Sequence, residues 1–448
     1  MRPLSSPSSL KRHAVDIFLA GVAAVEPGRA VKEHLSLDGD TLHAGEDAVG
    51  IVPGGRICVV GAGKAGAPMA AAVKEILSGR LEGGVVSVKY GHLAPVAGVT
   101  IREAAHPVPD EAGMSAAREV IHLLHRMGKD DLVICLLSGG GSALLPCPAP
   151  PLTLTDKQDV TNLLLACGAE IGEINCVRKH LSLLKGGGLA RLAHPARVVT
   201  LILSDVVGDP LDVIASGPTV GDPTTYAEAL AILRRYGLRG KTPEAVVRHL
   251  EEGAGGMQPE TRKPGYAELQ GGLNVLVGTN AMAVDAAAVR ARDLGYNTMV
   301  LSTTVTGDTT EAARAHAELA ARIARDGRPV ARPACVLSGG ETTVVIKGSG
   351  KGGRNQEFAL AAAPGIDALP DTVILSGGTD GTDGPTDAAG ALADGTTVRR
   401  ARDAGMDPGA FLQDNDAYHF FQALGDLLVT GPTLTNVMDL RVVLVGGP

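Results

Sequence analysis

Short apolar runs recur along the chain, and most of them lack the polar alternation of a half-exposed strand. Strands of a parallel sheet are buried on both faces, so uninterrupted runs of this kind predict parallel strands. The runs are Ile57–Val60, Val85–Val88, Leu132–Leu137, Val198–Leu203, Asn274–Val277, Met299–Leu301, Cys335–Leu337, Val373–Leu375 and Val442–Val445. Helical periodicity fills many of the intervals, as at Pro68–Leu77 and Ala281–Leu294. The alternation of strand and helix predicts an α/β fold with mostly parallel sheets.

One stretch of the chain, residues 251–272, is rich in glycine and polar residues and has no apolar periodicity. Such a composition is typical of a linker between domains. A chain of 448 residues also has room for two or three domains of roughly 100–200 residues each. We therefore predict an N-terminal domain over residues 1–255, a linker over residues 256–272 and a C-terminal domain over residues 273–448.

Composition narrows the class of protein. The net charge is −8, and no cluster of Lys and Arg is interleaved with aromatic residues, which argues against a nucleic-acid partner. No apolar run approaches the roughly 18 residues that span a membrane. The six cysteines show no C-x-x-C spacing, as expected for buried thiols in a reducing compartment. We predict a cytoplasmic protein, a monomer or a homodimer, that acts on small molecules without contact with a membrane.

The first glycine-rich loop, Gly61–Gly66, reads G-A-G-K-A-G and follows the predicted strand Ile57–Val60. It matches the G-x-G-x-x-G pattern of dinucleotide-binding loops, which also requires an acid at the end of the next strand. That strand ends instead in Lys89 and Tyr90. Lys64 lies within the loop, where a helix N-terminus disfavours a cation unless an anion binds there. Lys64 is thus a candidate for phosphate or carboxylate binding, or else an exposed loop lysine.

Two further loops follow predicted strands, where ligands bind in open parallel sheets. Ser138–Ser142 reads S-G-G-G-S, which indicates either a phosphate cradle or a tight strand-to-helix turn. Asp205 comes just after the strand Val198–Leu203 and is a candidate catalytic or metal-binding residue, although aspartates in such loops are also ordinary turn formers. His106 and His180 belong to no paired catalytic motif and are interpreted as structural.

The densest glycine loops lie toward the C-terminal end of the chain. Gly348–Glu357 reads G-S-G-K-G-G-R-N-Q-E and places Lys351 and Arg354 at the start of a predicted helix, which suits an anionic ligand. The next loop carries three aspartates among its glycines, Asp380, Asp383 and Asp387. Carboxylates on such loops suit a hard cation such as Mg²⁺, although T-D-G repeats are also ordinary turns. A phosphate site beside a metal site is what phosphoryl transfer requires.

Six motifs follow one another along the chain: G-A-G-K-A-G-A-P-M-A (Gly61–Ala70), A-A-H-P-V-P-D-E (Ala104–Glu111), L-L-S-G-G-G-S-A-L-L (Leu136–Leu145), S-D-V-V-G-D-P-L-D-V-I-A-S-G-P-T (Ser204–Thr219), K-G-G-R-N-Q-E (Lys351–Glu357) and S-G-G-T-D-G-T-D-G-P-T-D-A-A-G-A (Ser376–Ala391). Together and in this order they resemble the glycerate 2-kinase family, from about Ala14 to Val445. The resemblance implies two α/β domains, the N-terminal one Rossmann-like and the C-terminal one of the type called MOFRL, with the active site in the cleft between them.

The resemblance further implies ATP-dependent phosphorylation of D-glycerate to 2-phosphoglycerate with Mg²⁺, and it marks Lys64 and Arg354 as the main catalytic and phosphate-contacting cations. We predict Asp205 as the third catalytic residue, which accepts the proton of the substrate hydroxyl. The predicted metal ligands are Asp380 and Asp383. The predicted substrate-binding and phosphate-binding residues are Gly61, Gly63, Ser138, Gly139, Gly140, Gly141, Ser142, Lys351, Gly352, Gly353 and Asn355.

Two other functions stay open at this point. Some members of the family carry the name hydroxypyruvate reductase, and the G-A-G-K-A-G loop would suit an NAD(P)H-dependent enzyme, with Lys89 suited to a 2′-phosphate. The missing ribose-binding acid counts against that function. The other alternative is a protein that binds sugar-acid phosphates without turnover. Neither a Walker A sequence nor the protein-kinase motif set occurs in the chain, so those two kinase classes do not apply.

Overall fold

The computed structural model describes residues 7–447, which form two compact units. One unit spans residues 27–277, and the other combines residues 7–26 with residues 278–447. The predicted division, with its boundaries at residues 255 and 273, differs from this one. The outermost residues of the predicted domains, 1–6 and 448, lie outside the described part of the chain.

The secondary structure alternates between strands and helices. The strands are β1 (Leu35–Asp38), β2 (Thr41–Ala44), β3 (Asp47–Gly50), β4 (Ile57–Ala62), β5 (Leu81–Lys89), β6 (Val99–Ala104), β7 (Leu132–Leu137), β8 (Arg197–Leu203), β9 (Leu273–Gly278), β10 (Asn297–Val305), β11 (Ala334–Gly340), β12 (Thr372–Gly378), β13 (Gly390–Asp394), β14 (Leu427–Leu428) and β15 (Asp439–Val445). The helices are α1 (Pro7–Ala24), α2 (Pro27–His34), α3 (Gly66–Leu77), α4 (Glu111–Leu124), α5 (Gly141–Leu144), α6 (Leu154–Ala166), α7 (Ile171–His180), α8 (Gly188–Ala193), α9 (Tyr226–Arg235), α10 (Glu244–Ala254), α11 (Asn280–Asp293), α12 (Thr309–Asp326), α13 (Arg354–Ala362), α14 (Thr397–Asp403), α15 (Pro408–Gln413) and α16 (Ala417–Leu424). Within the described residues, no helix is both long and apolar enough to cross a membrane.

Two stretches of the chain belong to a different unit from the one predicted. Helix α1 packs with the C-terminal residues, because its Phe18 is fully buried in the same apolar core as Leu440. Residues 256–272, predicted as a linker, belong to the 27–277 unit. Polar contacts hold them there: the backbone N–H of Arg262 donates to Gly186 O at 3.0 Å. Apolar periodicity does not reveal contacts of this kind.

The 27–277 unit is built on a six-stranded sheet in the order β6-β5-β4-β7-β8-β9. The pairs from β6 to β8 are parallel, as predicted. Counted from β4, this is the order 3-2-1-4-5-6 of dinucleotide-binding sheets, which reverses direction between β4 and β7. Ligands in such sheets bind beyond the carboxyl ends of the strands at this reversal. The loops after β4 and β7, which carry the first two glycine motifs, therefore lie where a ligand is expected.

Further elements of the 27–277 unit pack beside this sheet. Strands β1, β2 and β3 form a small antiparallel sheet of their own. Helices α6, α7, α9 and α10 pack around a separate apolar core, which includes Leu164, Val177 and Leu233. Because this core fixes α6 and α7, side chains on these two helices have defined positions in the unit.

The other unit contains a mixed sheet in the order β10-β11-β15-β12-β13-β14. The prediction of mostly parallel strands is wrong for this sheet, because β10 and β11 are parallel and the following pairs are antiparallel. Strand β15 lies between β11 and β12 and runs against both. As a result, β11 and β12 run in the same direction and end in Ser-Gly-Gly on the two sides of Asp439, the first residue of β15.

Candidate active site

The loops that follow β4 and β7 are bonded to each other at the strand reversal. The backbone N–H of Lys64 donates to Gly139 O at 2.9 Å, and the N–H of Ala65 donates to Ser138 Oγ at 3.1 Å. Gly63 has a φ of +149°, and a Cβ at this residue would lie 2.0 Å from Ser138 Oγ. The glycine is therefore required for the close packing of the two loops.

The same packing leaves few backbone donors for a ligand in the G-A-G-K-A-G loop. The N–H of Gly63 donates to Ser87 O, and that of Gly66 donates to Gly63 O, each at 3.0 Å. With the two bonds described above, every N–H group from residue 63 to residue 66 has an acceptor within the protein. A dinucleotide pyrophosphate requires free N–H groups at this turn. Gly61 also has a packing role, because a Cβ there would lie 2.4 Å from Leu136 O.

Ser138–Ser142 forms one wall of a cavity of about 410 Å³ within the 27–277 unit. Asp205 is half-buried and lies against this wall, since a Cβ at Gly139 would come within 2.3 Å of its Oδ2. His106 lies against the same wall, since a Cβ at Gly140 would lie 2.8 Å from its Cδ2. Gly140 also has a φ of +83°, a conformation that favours glycine. The structure thus brings the S-G-G-G-S loop and Asp205 together at one cavity.

Lys64 lies near this wall as well. Burial, and after it the charge of Lys64, lowers the pKa of His106 to about 4, with further effects from Lys89 and His92. The imidazole of His106 is therefore neutral at neutral pH and offers one hydrogen-bond donor and one acceptor. The interpretation of His106 as purely structural missed this position. The signal that could have identified His106 was its place in the A-A-H-P-V-P-D-E motif.

Three basic side chains also line this space, which we name the basic cavity: Lys157 from α6, Arg178 from α7 and Lys185 from the loop before α8. Lys185 Nζ donates to Ser142 O at 2.8 Å. Lys157 Nζ is buried without a hydrogen-bond partner among the described residues. Burial lowers the pKa of Lys157 to about 8 and that of Lys185 well below its usual value. Lys157 and Arg178 were not predicted from the sequence, although Lys157 stands in line with Val160 on the buried face of α6, an unusual position for a lysine.

In the other unit, Arg354 opens α13 and is held by two carboxylates. Its Nε donates to both oxygens of Asp439 at 3.0 and 2.9 Å, and its Nη1 lies 2.6 Å from Glu341 Oε1. Asp439 is fully buried, whereas the Glu341 side chain is 41% exposed. Burial opposes the charge of Arg354, but the two carboxylates raise its pKa above the usual value. The predicted cation is thus fixed at the sheet edge where β11 and β12 end.

Asn355 and Asp383, both predicted site residues, are bonded to the protein itself. Asp383 Oδ1 accepts the N–H of Asn355 at 3.1 Å, and its Oδ2 accepts that of Gln356 at 2.8 Å. A Cβ at Gly353 would lie 2.4 Å from Asp383 Cγ, which explains the glycine before the helix. Burial raises the pKa of Asp383 to about 6. Asn355 Nδ2 donates to Asp439 Oδ1 at 2.8 Å, so both side chains hold the start of α13 in place.

Lys351 and Gly352 lie in the loop before α13. Lys351 Nζ is 4.2 Å from the centre of the Tyr418 ring, which is a cation–π contact. The backbone N–H of Lys351 donates to Asp416 Oδ1 at 2.9 Å. A Cβ at Gly352 would approach Asn415 O to 3.3 Å. The loop is therefore anchored on the segment that leads into α16.

The predicted metal ligands, Asp380 and Asp383, do not form a preformed metal centre. Asp380 is half-buried, and its Oδ1 accepts the N–H of Thr382 at 3.0 Å. Both oxygens of Asp383 accept helix N–H groups. Across residues 7–447, no three His, Cys, Asp or Glu side chains are grouped so that they could hold a metal ion.

Comparison with known proteins identifies the family. Residues 13–251 match a domain of unknown function, DUF4147, and residues 334–439 match the MOFRL family. The chain is 41% identical over 443 residues to a D-glycerate 2-kinase from Thermotoga maritima, which covers 98% of this chain and 99% of the relative. It is 46% identical over 432 residues to a protein from Agrobacterium vitis described as a proposed hydroxypyruvate reductase, which covers 96% of this chain and 93% of the relative. The crystal structure of a glycerate kinase from Thermotoga maritima superposes with a TM-score of 0.88 at 41% identity, covering 98% of this chain and 100% of that one. The chain belongs to the glycerate 2-kinase family, as its motifs predicted.

Proposed function

We propose that the chain catalyses the ATP-dependent phosphorylation of D-glycerate to 2-phosphoglycerate. The observation that carries this proposal is the similarity to a D-glycerate 2-kinase over nearly the full length of both chains. The geometry supports it, because a ligand-sized cavity at the strand reversal has Asp205 and a neutral His106 on its wall, with Lys64 nearby. Phosphoryl transfer depends on positioned charges and a proton acceptor more than on covalent chemistry.

In the proposed reaction, Asp205 accepts the proton of the C2 hydroxyl of D-glycerate. The hydroxyl oxygen then bonds to the γ-phosphorus of ATP, the bond between that phosphorus and the bridging oxygen breaks, and ADP leaves. Lys64 stabilises negative charge on the transferred phosphoryl group. Arg354 is the second proposed phosphate-contacting cation. Its bonds to Asp439 and Glu341 orient the guanidinium before any substrate binds, which avoids reorientation during the reaction.

Mg²⁺ belongs to the proposal because kinases use it to neutralise phosphate charge. Mg²⁺ keeps several waters and is usually bound by one or two carboxylates together with the phosphates of the substrate. Asp380 fits this role, because it is half-buried and one of its oxygens bonds only locally, to Thr382. Asp383 does not fit, because both of its oxygens accept helix N–H groups. Of the predicted pair, Asp380 is therefore the proposed ligand.

An NAD(P)H-dependent hydroxypyruvate reductase is the second candidate, favoured by the description of the relative from Agrobacterium vitis. The G-A-G-K-A-G loop argues against it, because the N–H groups of residues 63–66 already have acceptors within the protein. The cytoplasmic location and the monomeric or homodimeric state stay predictions.

The test measures ADP formation by the purified protein with Mg-ATP and D-glycerate, beside NADPH oxidation with hydroxypyruvate. We expect ADP formation that depends on D-glycerate, and a product that enolase converts, which identifies it as 2-phosphoglycerate. A reaction without D-glycerate controls for hydrolysis of ATP by water. Oxidation of NADPH without formation of ADP would refute the kinase and favour the reductase.

A further inference from the structure

Three basic side chains converge on the basic cavity without an equal number of carboxylates. Lys157 and Lys185 are only 6% and 5% exposed. Burial, followed by the charges of Lys157 and Arg178, lowers the pKa of Lys185, so the three side chains lie close to one another. Among the described residues that line the cavity, only Asp205 carries a carboxylate. Three basic groups with one carboxylate suit an anionic ligand, because buried charges require partners.

Lys157 gives the most direct indication of a ligand. Lys157 belongs to the cavity lining, and its Nζ is buried and has no hydrogen-bond partner in the described chain. Another buried lysine of the same unit, Lys179, is bonded to Asp212 and Asp222 at 3.1 and 3.2 Å. An ammonium group has three donors, and leaving buried donors unpaired is unfavourable. An anion in the cavity would supply the acceptor that Lys157 lacks and would favour its charged form.

Most of the exposed residues at the rim of the cavity are apolar, although Asn162 also lies there. Val108, Leu165 and Ile171 line it and are 53%, 56% and 60% exposed. The volume of about 410 Å³ lies within the range of roughly 300–1,000 Å³ that is typical of small-molecule sites. D-Glycerate is a three-carbon anion without an apolar surface to match such a rim. A nucleotide joins an anionic phosphate chain to a flat base, and thus matches both the buried cations and the rim.

We infer that the basic cavity is the nucleotide site, with the phosphates bonded to Lys157, Arg178 and Lys185 and the base packed on the apolar rim. The identity of the ligand rests on the proposed kinase function, and the location of its site goes beyond that function. Lys185 also bonds Ser142 O. The phosphate end of the nucleotide therefore lies next to the wall that carries Asp205, the proposed proton acceptor.

The first test replaces Lys157 by methionine and measures binding of ADP, pyrophosphate and D-glycerate by isothermal titration calorimetry. We expect Lys157→Met to lower the affinity for ADP and for pyrophosphate about tenfold or more, the scale for a lost hydrogen bond to a charged group. D-Glycerate affinity should stay within about twofold, because that substrate does not contact Lys157. Lys241→Met is the matched control, because Lys241 is an exposed lysine of the same unit, and it should leave all three affinities unchanged.

A second variant, Ile171→Ser, tests the rim without disturbing the buried core, because Ile171 is exposed. This variant should weaken ADP and leave pyrophosphate unchanged, since pyrophosphate has no base. Unchanged ADP affinity in both variants, or loss of D-glycerate affinity in place of ADP affinity, would overturn the assignment.

The two proposals can fail separately. A wild-type protein that binds ADP through Lys157 and forms no 2-phosphoglycerate would refute the kinase and support the nucleotide site. An active kinase whose KM for ATP and affinity for ADP are unchanged by Lys157→Met would refute the nucleotide site alone.

Discussion

Replacement of Asp439 by asparagine tests how much the buried charges at the start of β15 contribute to stability. Asp439 accepts hydrogen bonds from Arg354 Nε, Asn355 Nδ2 and Arg441 Nη2 at 2.8 to 3.0 Å. Arg441 is 1% exposed, and its Nε and Nη1 have no partner among the described residues. An asparagine keeps one acceptor oxygen and places an NH₂ group against these donors. The substitution therefore removes the charge that balances two guanidinium groups.

The size of the stability loss depends on which contacts the two arginines retain in the Asp439→Asn variant. Arg354 keeps its ion pair with Glu341. Arg441 keeps one hydrogen bond, to the Thr342 hydroxyl, and its contact with the face of the Phe358 ring. The remaining carboxylates, Asp383 and Glu341, attract it less than Asp439 does. Breaking a buried ion pair on one side costs about 3–5 kcal/mol, because the other charge stays buried. We therefore expect Asp439→Asn to lower the free energy of unfolding by about 3 kcal/mol or more, which lowers Tm by roughly 10 °C for a unit of this size.

The assay is thermal unfolding followed by circular dichroism, with Glu341→Gln as the matched control. Glu341 pairs with the same arginine, but its side chain is 41% exposed. Exposed ion pairs contribute about 0–1 kcal/mol, so this control should lower Tm by a few degrees at most. Equal effects of the two variants, or a loss below about 1 kcal/mol for Asp439→Asn, would refute the argument that burial decides the contribution of each carboxylate.

Three further predictions concern the 27–277 unit. Lys64→Met should lower kcat by about 10²-fold, the scale for a lost charge contact in the transition state. Its Tm should not change, because the backbone hydrogen bond from residue 64 to Gly139 is retained. Steady-state kinetics and thermal unfolding measure the two quantities. Asp205→Asn should lower kcat by about 10²–10⁴-fold, the scale for a lost general base, without lowering the affinity for ADP measured by calorimetry. A variant with wild-type kcat would show that Asp205 does not take part in the reaction. Burial opposes protonation of His180, but its hydrogen bonds to Cys176 O and Glu260 raise its pKa to about 9, above the ordinary 6.5. The stabilisation from this group is thus complete below pH 6.5 and is lost as the pH rises through 9. The fall in Tm across this interval should be smaller in His180→Gln than in the wild type. Parallel curves of Tm against pH for the two proteins would show that His180 does not titrate there.

Apolar runs correctly located most strands of the two six-stranded sheets. Leu132–Leu137 was predicted and coincides with β7, which is buried along its full length, so hydrophobicity alone marks it. The small sheet β1-β2-β3 was missed, because its short strands expose many of their positions. The direction of β15 was also missed. An apolar run does not specify which strands it will pair with, so the antiparallel placement between β11 and β12 depends on the tertiary fold.

Site residues that lie in or beside glycine motifs could be predicted from the sequence. Site residues that come from helices could not. Ser138–Ser142 and Asp205 follow strands, and strand ends meet at one edge of a parallel sheet. Lys157 and Arg178 come from α6 and α7, which pack beside the sheet around their own core. No local motif accompanies them, and their position at the basic cavity depends on how that helical layer packs.

The glycine motifs themselves hold side chains in place more than they offer backbone to a ligand, and Gly139 allows this to be tested. A Cβ there would lie 2.3 Å from Asp205 Oδ2, whereas a Cβ at Gly172 would have no atom within 4 Å. Gly139→Ala should displace the Asp205 carboxylate and lower kcat toward the value of Asp205→Asn, although it removes no chemical group. Gly172→Ala should keep wild-type kcat. If Gly139→Ala folds with an unchanged Tm and wild-type kcat, then the position of Asp205 does not limit the reaction, and its role as the proton acceptor would have to be abandoned.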